Sequence, residues 1–278
     1  TNQSGSSPES ALSAPVTPFE PTAPAAPTNV VAQADAEAAI VRWTAPPDDT
    51  GTPITEYSVT PYADGSPLSP VQVDGSSTDA RITGLQAGTR YTFVVKATNA
   101  VGDSPASQAS EPVTPGLSLF GDAAPATPDS GDPASVNLGV KFRANVDGMI
   151  TGLRFYKASA NVGPHVGTLY DSSGDVLRQA TFSNETASGW QAVTFSAPVP
   201  ITAGTVYVAS YFTQSGHYSA TGGAFSQELG TGPLRALANG ESSNGVYLYG
   251  TSPSFPMSSF NSANYWVDVL FTPAETGA

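Results

Sequence analysis

Short runs of alternating apolar and polar residues, each closed by a Gly, Pro, Asn or Asp turn, recur from Thr28 to Phe271. In the first third, Val30 and Ala32 lead into a strand with Ile40 and Arg42 on one face and Val41 and Trp43 on the other. Tyr57, Val59 and Pro61 follow, then Ala80 and Ile82, then Tyr91, Phe93 and Val95 opposite Thr92, Val94 and Lys96. A period of two marks half-buried strands. Turn signals about every ten residues predict a seven-stranded sandwich over 28–115. After a short hinge at 114–118 the rhythm resumes in 136–142, 149–156, 166–170, 176–182, 190–195, 205–212, 246–249 and 265–271. That spacing predicts a second, jelly-roll-like sandwich over 116–278. The stretch 213–245, rich in Gly and Ser, breaks the pattern and predicts an excursion above the sandwich. No segment carries a helical period. The fold class is therefore all-β, two β-sandwiches in tandem.

Residues 1–27 are a different material. Pro at 8, 15, 18, 21, 24 and 27 favours extended chain and denies ladder hydrogen bonds, so the tract is expected to be a Pro/Ser/Ala-rich linker, with a short strand at Val16 or Phe19 as its one alternative. It lacks a basic start and an apolar core, which reads as a mature form or an excised piece. Pro112, Pro115 and Gly116 mark the boundary between the two sandwiches, and few contacts are expected to cross it.

Within 28–115, Pro27-Thr28-Asn29-Val30, Trp43 before Pro46-Pro47, Ile54-Thr55-Glu56-Tyr57, Leu85-Gln86-Ala87-Gly88-Thr89-Arg90-Tyr91 and Ala97-Thr98-Asn99-Ala100-Val101-Gly102 resemble a fibronectin type III domain. The resemblance implies that Trp43 fills the core and that Tyr91 makes a corner hydrogen bond to upstream backbone. Val101-Gly102-Asp103-Ser104 stands where an RGD tripeptide would be needed for integrin binding. In the second half, Leu138-Gly139-Val140-Lys141-Phe142, Gly152-Leu153-Arg154-Phe155-Tyr156-Lys157, Gly163-Pro164-His165-Val166-Gly167-Thr168-Leu169-Tyr170 and Asn264-Tyr265-Trp266-Val267-Asp268 resemble a family of bacterial secreted domains of unknown function. Such domains accompany fibronectin type III and immunoglobulin-like modules, and the resemblance carries over no activity.

Composition narrows the function. Against 23 Asp+Glu stand only 10 Lys+Arg, a net charge of −13, so nucleic acid and anionic surfaces are excluded as partners. Cysteine is absent, which fits an exported bacterial chain, secreted or held at the cell surface. No apolar run reaches about 18 residues, so membrane insertion by a helix is not expected.

Candidate chemistry is sparse. His165 and His217 with Glu185 or Asp268 could hold a transition metal, but no His-x-His spacing supports it. Asp122, Asp129 and Asp132 lie in a turn-rich loop that could take a structural calcium, with a solvated acidic loop as the preferred reading. The metal candidates are thus Asp122, Asp129, Asp132 and His165, and no other cofactor is expected. Glu185, Glu228, Glu241 and Asp268 lack a setting for paired-carboxylate hydrolysis, and no nucleophile elbow exists. Aromatics in Gly/Ser/Asn-rich surroundings offer the better lead, since rigid rings stack on sugar faces while polar neighbours bond hydroxyls. Tyr211, Tyr218, Tyr247 and Tyr249, with His217 and Asn244 as polar partners, are the predicted ligand-binding residues; Trp190 and Trp266 alternate so strongly that at least one belongs to the core. The expected function is a non-catalytic accessory region binding extracellular polysaccharide, built of monomeric modules within a larger protein. A structural spacer or adhesin stalk is the alternative and a hydrolase the third reading.

Overall fold

A computed structural model describes residues 11–12, 20–47 and 51–274. The suggested strand at Val16 or Phe19 lies outside them.

The first module pairs β1 (Thr28–Asp35), β2 (Ala38–Thr44) and β6 (Asp79–Thr83) in one sheet. Its second sheet holds β3 (Ile54–Ala63), β4 (Ser66–Pro67), β5 (Val71–Asp74) and β7 (Tyr91–Asn99). Val41, Trp43, Tyr57, Val59, Ile82, Phe93 and Val95 are the inward members of these alternating strands and form the core. Trp43 packs 5.1 Å from Tyr57. The Tyr91 hydroxyl accepts the Gln86 N–H at 3.0 Å, the expected corner. A device that the alternation does not reveal closes the free edge of β7. Ser104, Ser107 and Ser110 recur every third residue, and their hydroxyls accept the N–H groups of Ala97, Val95 and Phe93 at 2.9, 2.9 and 3.1 Å. Their own N–H groups donate to the carbonyls of the same three residues. A three-residue period suits extended, polyproline-like chain, and Pro105 costs nothing there.

The second module has a six-strand path in the order β11 (Val176–Thr181), β10 (Val166–Asp171), β13 (Tyr207–Thr213), β8 (Val136–Ala144), β15 (Val246–Tyr249) and β16 (Ser258–Ser259). The short β14 (Leu234–Ala236) also pairs with β8. Facing it is β12 (Gly189–Ile201), β9 (Gly148–Lys157) and β17 (Val267–Pro273). Leu138, Val140, Phe142, Leu153, Phe155, Val269 and Phe271 fill the space between the sheets. The stretch 213–245 does more than arch over the sandwich. It carries β14 and a single 3-10 turn at Ala224–Ser226, and Phe225, Leu234 and Ala236 are fully buried in the same core.

The boundary between modules is crossed by many contacts, contrary to the expectation from its Pro and Gly. The Glu37 N–H donates to Gly116 O at 2.9 Å and the Leu117 N–H to Phe271 O at 2.7 Å, so the linker is stitched to both sides. Asp35, on β1 and 2% exposed, pairs with Arg81 of its own module at 2.8 Å and with Arg154 of the other at 2.8 Å. Arg154 is wholly buried, reaches Asp268 at 3.6 Å and lies 4.2 Å over the Trp190 ring. Asp268 in turn accepts the Leu119 N–H at 2.7 Å. Burial pushes its carboxyl up, against the pull of Arg154 and the backbone N–H groups. Gln33 donates to Ala192 O and Arg42 to Asn184 O, further bonds between modules. These ion pairs and backbone bonds tie the two sandwiches together at the joint, although the Arg154 Nε–Asp35 Oδ1 approach is an ion pair without hydrogen-bond geometry.

Candidate functional site

Three stretches meet at one end of the second sandwich: 129–134, 213–218 and β15. Gly216, at φ +63, makes the meeting possible, because a Cβ there would run into the carbonyls of Asp132 and Ala134. The two loops then pair directly, with the His217 N–H donating to Asp132 O at 2.6 Å and the Ser130 N–H to Tyr218 O at 2.8 Å. On β15, alternation sends Tyr247 and Tyr249 to the same face, toward these loops.

Asp132 is the hub. Its Oδ2 accepts the Tyr249 hydroxyl at 2.6 Å and the Tyr218 hydroxyl at 3.2 Å, and its Oδ1 accepts the Ala134 N–H at 2.9 Å. The Tyr249 hydroxyl, with the Ala134 N–H and Tyr218 hydroxyl behind it, holds this carboxyl below the usual range despite some desolvation. The carboxylate in turn pushes the Tyr249 hydroxyl up, and burial raises that of Tyr218. Asp129 lies beside His217, whose Nδ1 is 3.1 Å from both carboxylate oxygens; the Gly131 N–H first, and His217 after it, keep that carboxyl low. Four rings run edge to face along the rim: Tyr218 to Tyr265 at 5.7 Å, Tyr265 to Tyr247 at 6.2 Å, and Tyr247 to Tyr249 at 5.7 Å. Tyr249 is 51% exposed at the end of this row. Tyr265 belongs to the core, and Tyr218 and Tyr247 are partly buried against it, so Tyr249 is the ring that the row presents to solvent, with carboxylate and imidazole groups at its border.

Of the six residues predicted to bind ligand, Tyr218, Tyr247, Tyr249 and His217 are brought together here. Tyr211 is not among them. It points inward, 1% exposed, stacked on Phe155 at 4.2 Å, with burial raising its hydroxyl. Asn244 also lies away from the rim: wholly buried, it accepts the Lys141 N–H and donates to the Lys141 and Leu237 carbonyls at 2.8–2.9 Å, taking the part of a strand partner for β8. Tyr265, the ring joining Tyr218 to Tyr247, stands just before β17 and is part of the core.

The four metal candidates are scattered. Asp122 sits at the joint on Arg81 at 2.7 Å, while Asp129 and Asp132 belong to the rim. His165 is wholly buried, with Nδ1 2.8 Å from Glu185 and Nε2 2.8 Å from Asn161, so both nitrogens are engaged. Among the described residues no group of three or more His, Cys, Asp or Glu side chains converges as a metal site would. The carboxylates weighed for hydrolysis are tied to cations: Glu185 to Lys157 at 2.8 Å, and Glu228 and Glu241 to Arg143. Desolvation raises the Glu185 carboxyl, but the bonds from His165 and Lys157 outweigh it and leave it low. Trp266 is buried and Trp190 half-buried, in line with at least one being core.

Residues 122–267 match the family described as "Domain of unknown function (DUF4082)", and residues 25–113 match "Fibronectin type III domain". Chitinase A1 of Niallia circulans is 33% identical over 165 residues, covering 57% of this chain and 22% of the chitinase. The chain thus spans about a fifth of that relative's length. Among solved structures, domains from titin align with 30% identity and a TM-score of 0.31, over 33% of this chain and 32% of that one. An Fn3-like protein from Clostridium thermocellum aligns with 27% identity and a TM-score of 0.29, over 34% of this chain and 95% of that one.

Proposed function

Because the chain belongs to the domain-of-unknown-function family DUF4082, with a fibronectin type III domain ahead of it, we propose that it is a non-catalytic accessory region of an exported bacterial protein that contacts carbohydrate at the tyrosine rim. The observation that carries the reading is Tyr249: half exposed, with its hydroxyl fixed on Asp132 and its ring backed by Tyr247. A ring held in this way loses little entropy when a sugar face stacks on it, and the neighbouring carboxylates and His217 can bond sugar hydroxyls. The relative named a chitinase supports a polysaccharide as the partner, and the small shared fraction of it supports an appended role over chemistry. Export fits the absence of cysteine and the absence, among the described residues, of a helix long and apolar enough to cross a membrane.

The test is depletion of the whole chain by insoluble chitin, cellulose and xylan. Tyr249→Ala should weaken retention by about tenfold, roughly 1.4 kcal/mol, with the melting curve unchanged. Retention equal to wild type would remove the rim from the account. A second reading, a rigid spacer, is favoured by the buried Asp35–Arg154–Asp268 network, and it predicts no retention on any polysaccharide.

A further inference from the structure

We infer that the groove along the joint between the two modules is a second carbohydrate site, shaped for a neutral glycan strand. The inference rests on the carbohydrate-binding reading and adds a contact remote in sequence from the rim. Two cavities, of 510 and 390 Å³, lie between the modules and share Ala34, Val113 and Thr194 in their linings, so they lie side by side along the joint. Each falls within the size of ordinary ligand sites, which favour domain interfaces.

The lining has two chemistries. The larger part presents Gln33, Gln179, Thr181, Ser183 and Ser196, amide and hydroxyl groups that both donate and accept. The smaller presents Pro112, Val113, Met149, Phe195 and Pro198. No Asp, Glu, Lys or Arg lines either part among the described residues, in a chain carrying a net charge of −13. An ion or a charged polymer finds nothing to pair with there. A polyhydroxyl chain with apolar ring faces matches both halves. A third joint cavity, of 410 Å³, has Glu37 and Asp122 in its lining and lacks this character.

The groove is built by the same features that fix the joint. The register of β12 against β9 breaks between Thr194 and Val199, and the intervening Ser196–Pro198 stand exposed, forming one wall. Met149 is left 43% exposed on the adjoining strand, apolar surface that the core does not use. The Asp35–Arg154 pair and the bonds from Gln33 to Ala192 and from Arg42 to Asn184 hold the walls at a set separation, so a ligand meets a preformed site.

The experiment titrates cellohexaose and chitohexaose into the whole chain while hydrogen exchange is followed by mass spectrometry. Wild type should show slowed exchange at 112–114 and 194–198 in addition to the rim. Thr194→Arg puts bulk and charge at an exposed residue that lines both cavities and should abolish the slowing at the joint while the rim still responds. Gln179→Ala, an exposed position, should weaken binding at the joint by several-fold and serves if Thr194→Arg disturbs the fold. If the rim responds and the joint never does, or if both variants behave as wild type, the second site is overturned and the rim reading stands. If neither region responds to any sugar, both fall. Slowing at the joint by a strand-forming peptide but not by the oligosaccharides would also overturn it.

Discussion

Asp35→Ala is the sharpest perturbation of the joint, because one small side chain on β1 serves both modules. Its carboxylate is 2.8 Å from Arg154 and 2.8 Å from Arg81, and it is 2% exposed. Removing one member of a buried pair costs about 3–5 kcal/mol, since the partner stays desolvated. Arg154 keeps Asp268 at 3.6 Å and the Trp190 face, and Arg81 is partly exposed and keeps Asp122, so the lower end, about 3 kcal/mol, is expected. At about 2–4 °C per kcal/mol for a chain of this size, the melting temperature should fall by about 6–12 °C. Differential scanning calorimetry of the whole chain should show one cooperative transition for wild type and two for Asp35→Ala, as the modules uncouple. A cycle with Arg154→Met should return a coupling energy of about 1–3 kcal/mol. A single unaltered transition with a change below about 0.5 kcal/mol, the size of an ordinary surface substitution, would refute the lock.

Other expectations follow from the buried polar groups. Asn244→Ala removes a partner from four backbone groups, of which the Lys141 carbonyl keeps the Leu237 N–H, and should cost about 2–3 kcal/mol by urea unfolding, whereas Tyr211→Phe, which loses one 3.5 Å contact, should cost under about 1 kcal/mol. Glu185 has a folded-state carboxyl below its unfolded value, so its stabilisation is complete above the unfolded range near pH ~4.3 and is lost as pH falls through the lower folded value. Glu185→Gln should therefore flatten the acid limb of a melting-temperature-versus-pH curve, and an unchanged limb would contradict the assignment. A chelator should leave the melting curve where it is; a fall of several degrees would bring back a metal at the loop that holds Asp129 and Asp132, where Asp122, paired with Arg81 at the joint, does not reach.

The strands were legible because alternation is a consequence of which face is buried, and the residues that set it, from Val41 and Trp43 to Val269 and Phe271, carry no competing role. The rim was legible in part for the same reason. Tyr247 and Tyr249 share a face by their spacing alone, and the glycine at 216 marks the close approach. What pattern could not supply was pairing at long range. Arg154 and Asp268 look like ordinary outward residues of two strands until the first module covers that sheet face. Asn244 looks like a loop asparagine until the gap that β14 and β15 leave along one edge of β8, at Lys141, is seen. The serine ladder at 104, 107 and 110 hides in a period of three, which neither a strand nor a helix uses.

Affinity electrophoresis tests the central claim most directly. The whole chain, at a net charge of −13, migrates well in native gels, and a neutral soluble polysaccharide in the matrix retards it only by binding. The account predicts retardation by glycol chitin, hydroxyethyl cellulose or a soluble xylan, lessened in Tyr249→Ala and absent when Thr194→Arg is added. Mobility identical with and without every polysaccharide would contradict carbohydrate binding and leave the rigid spacer in its place.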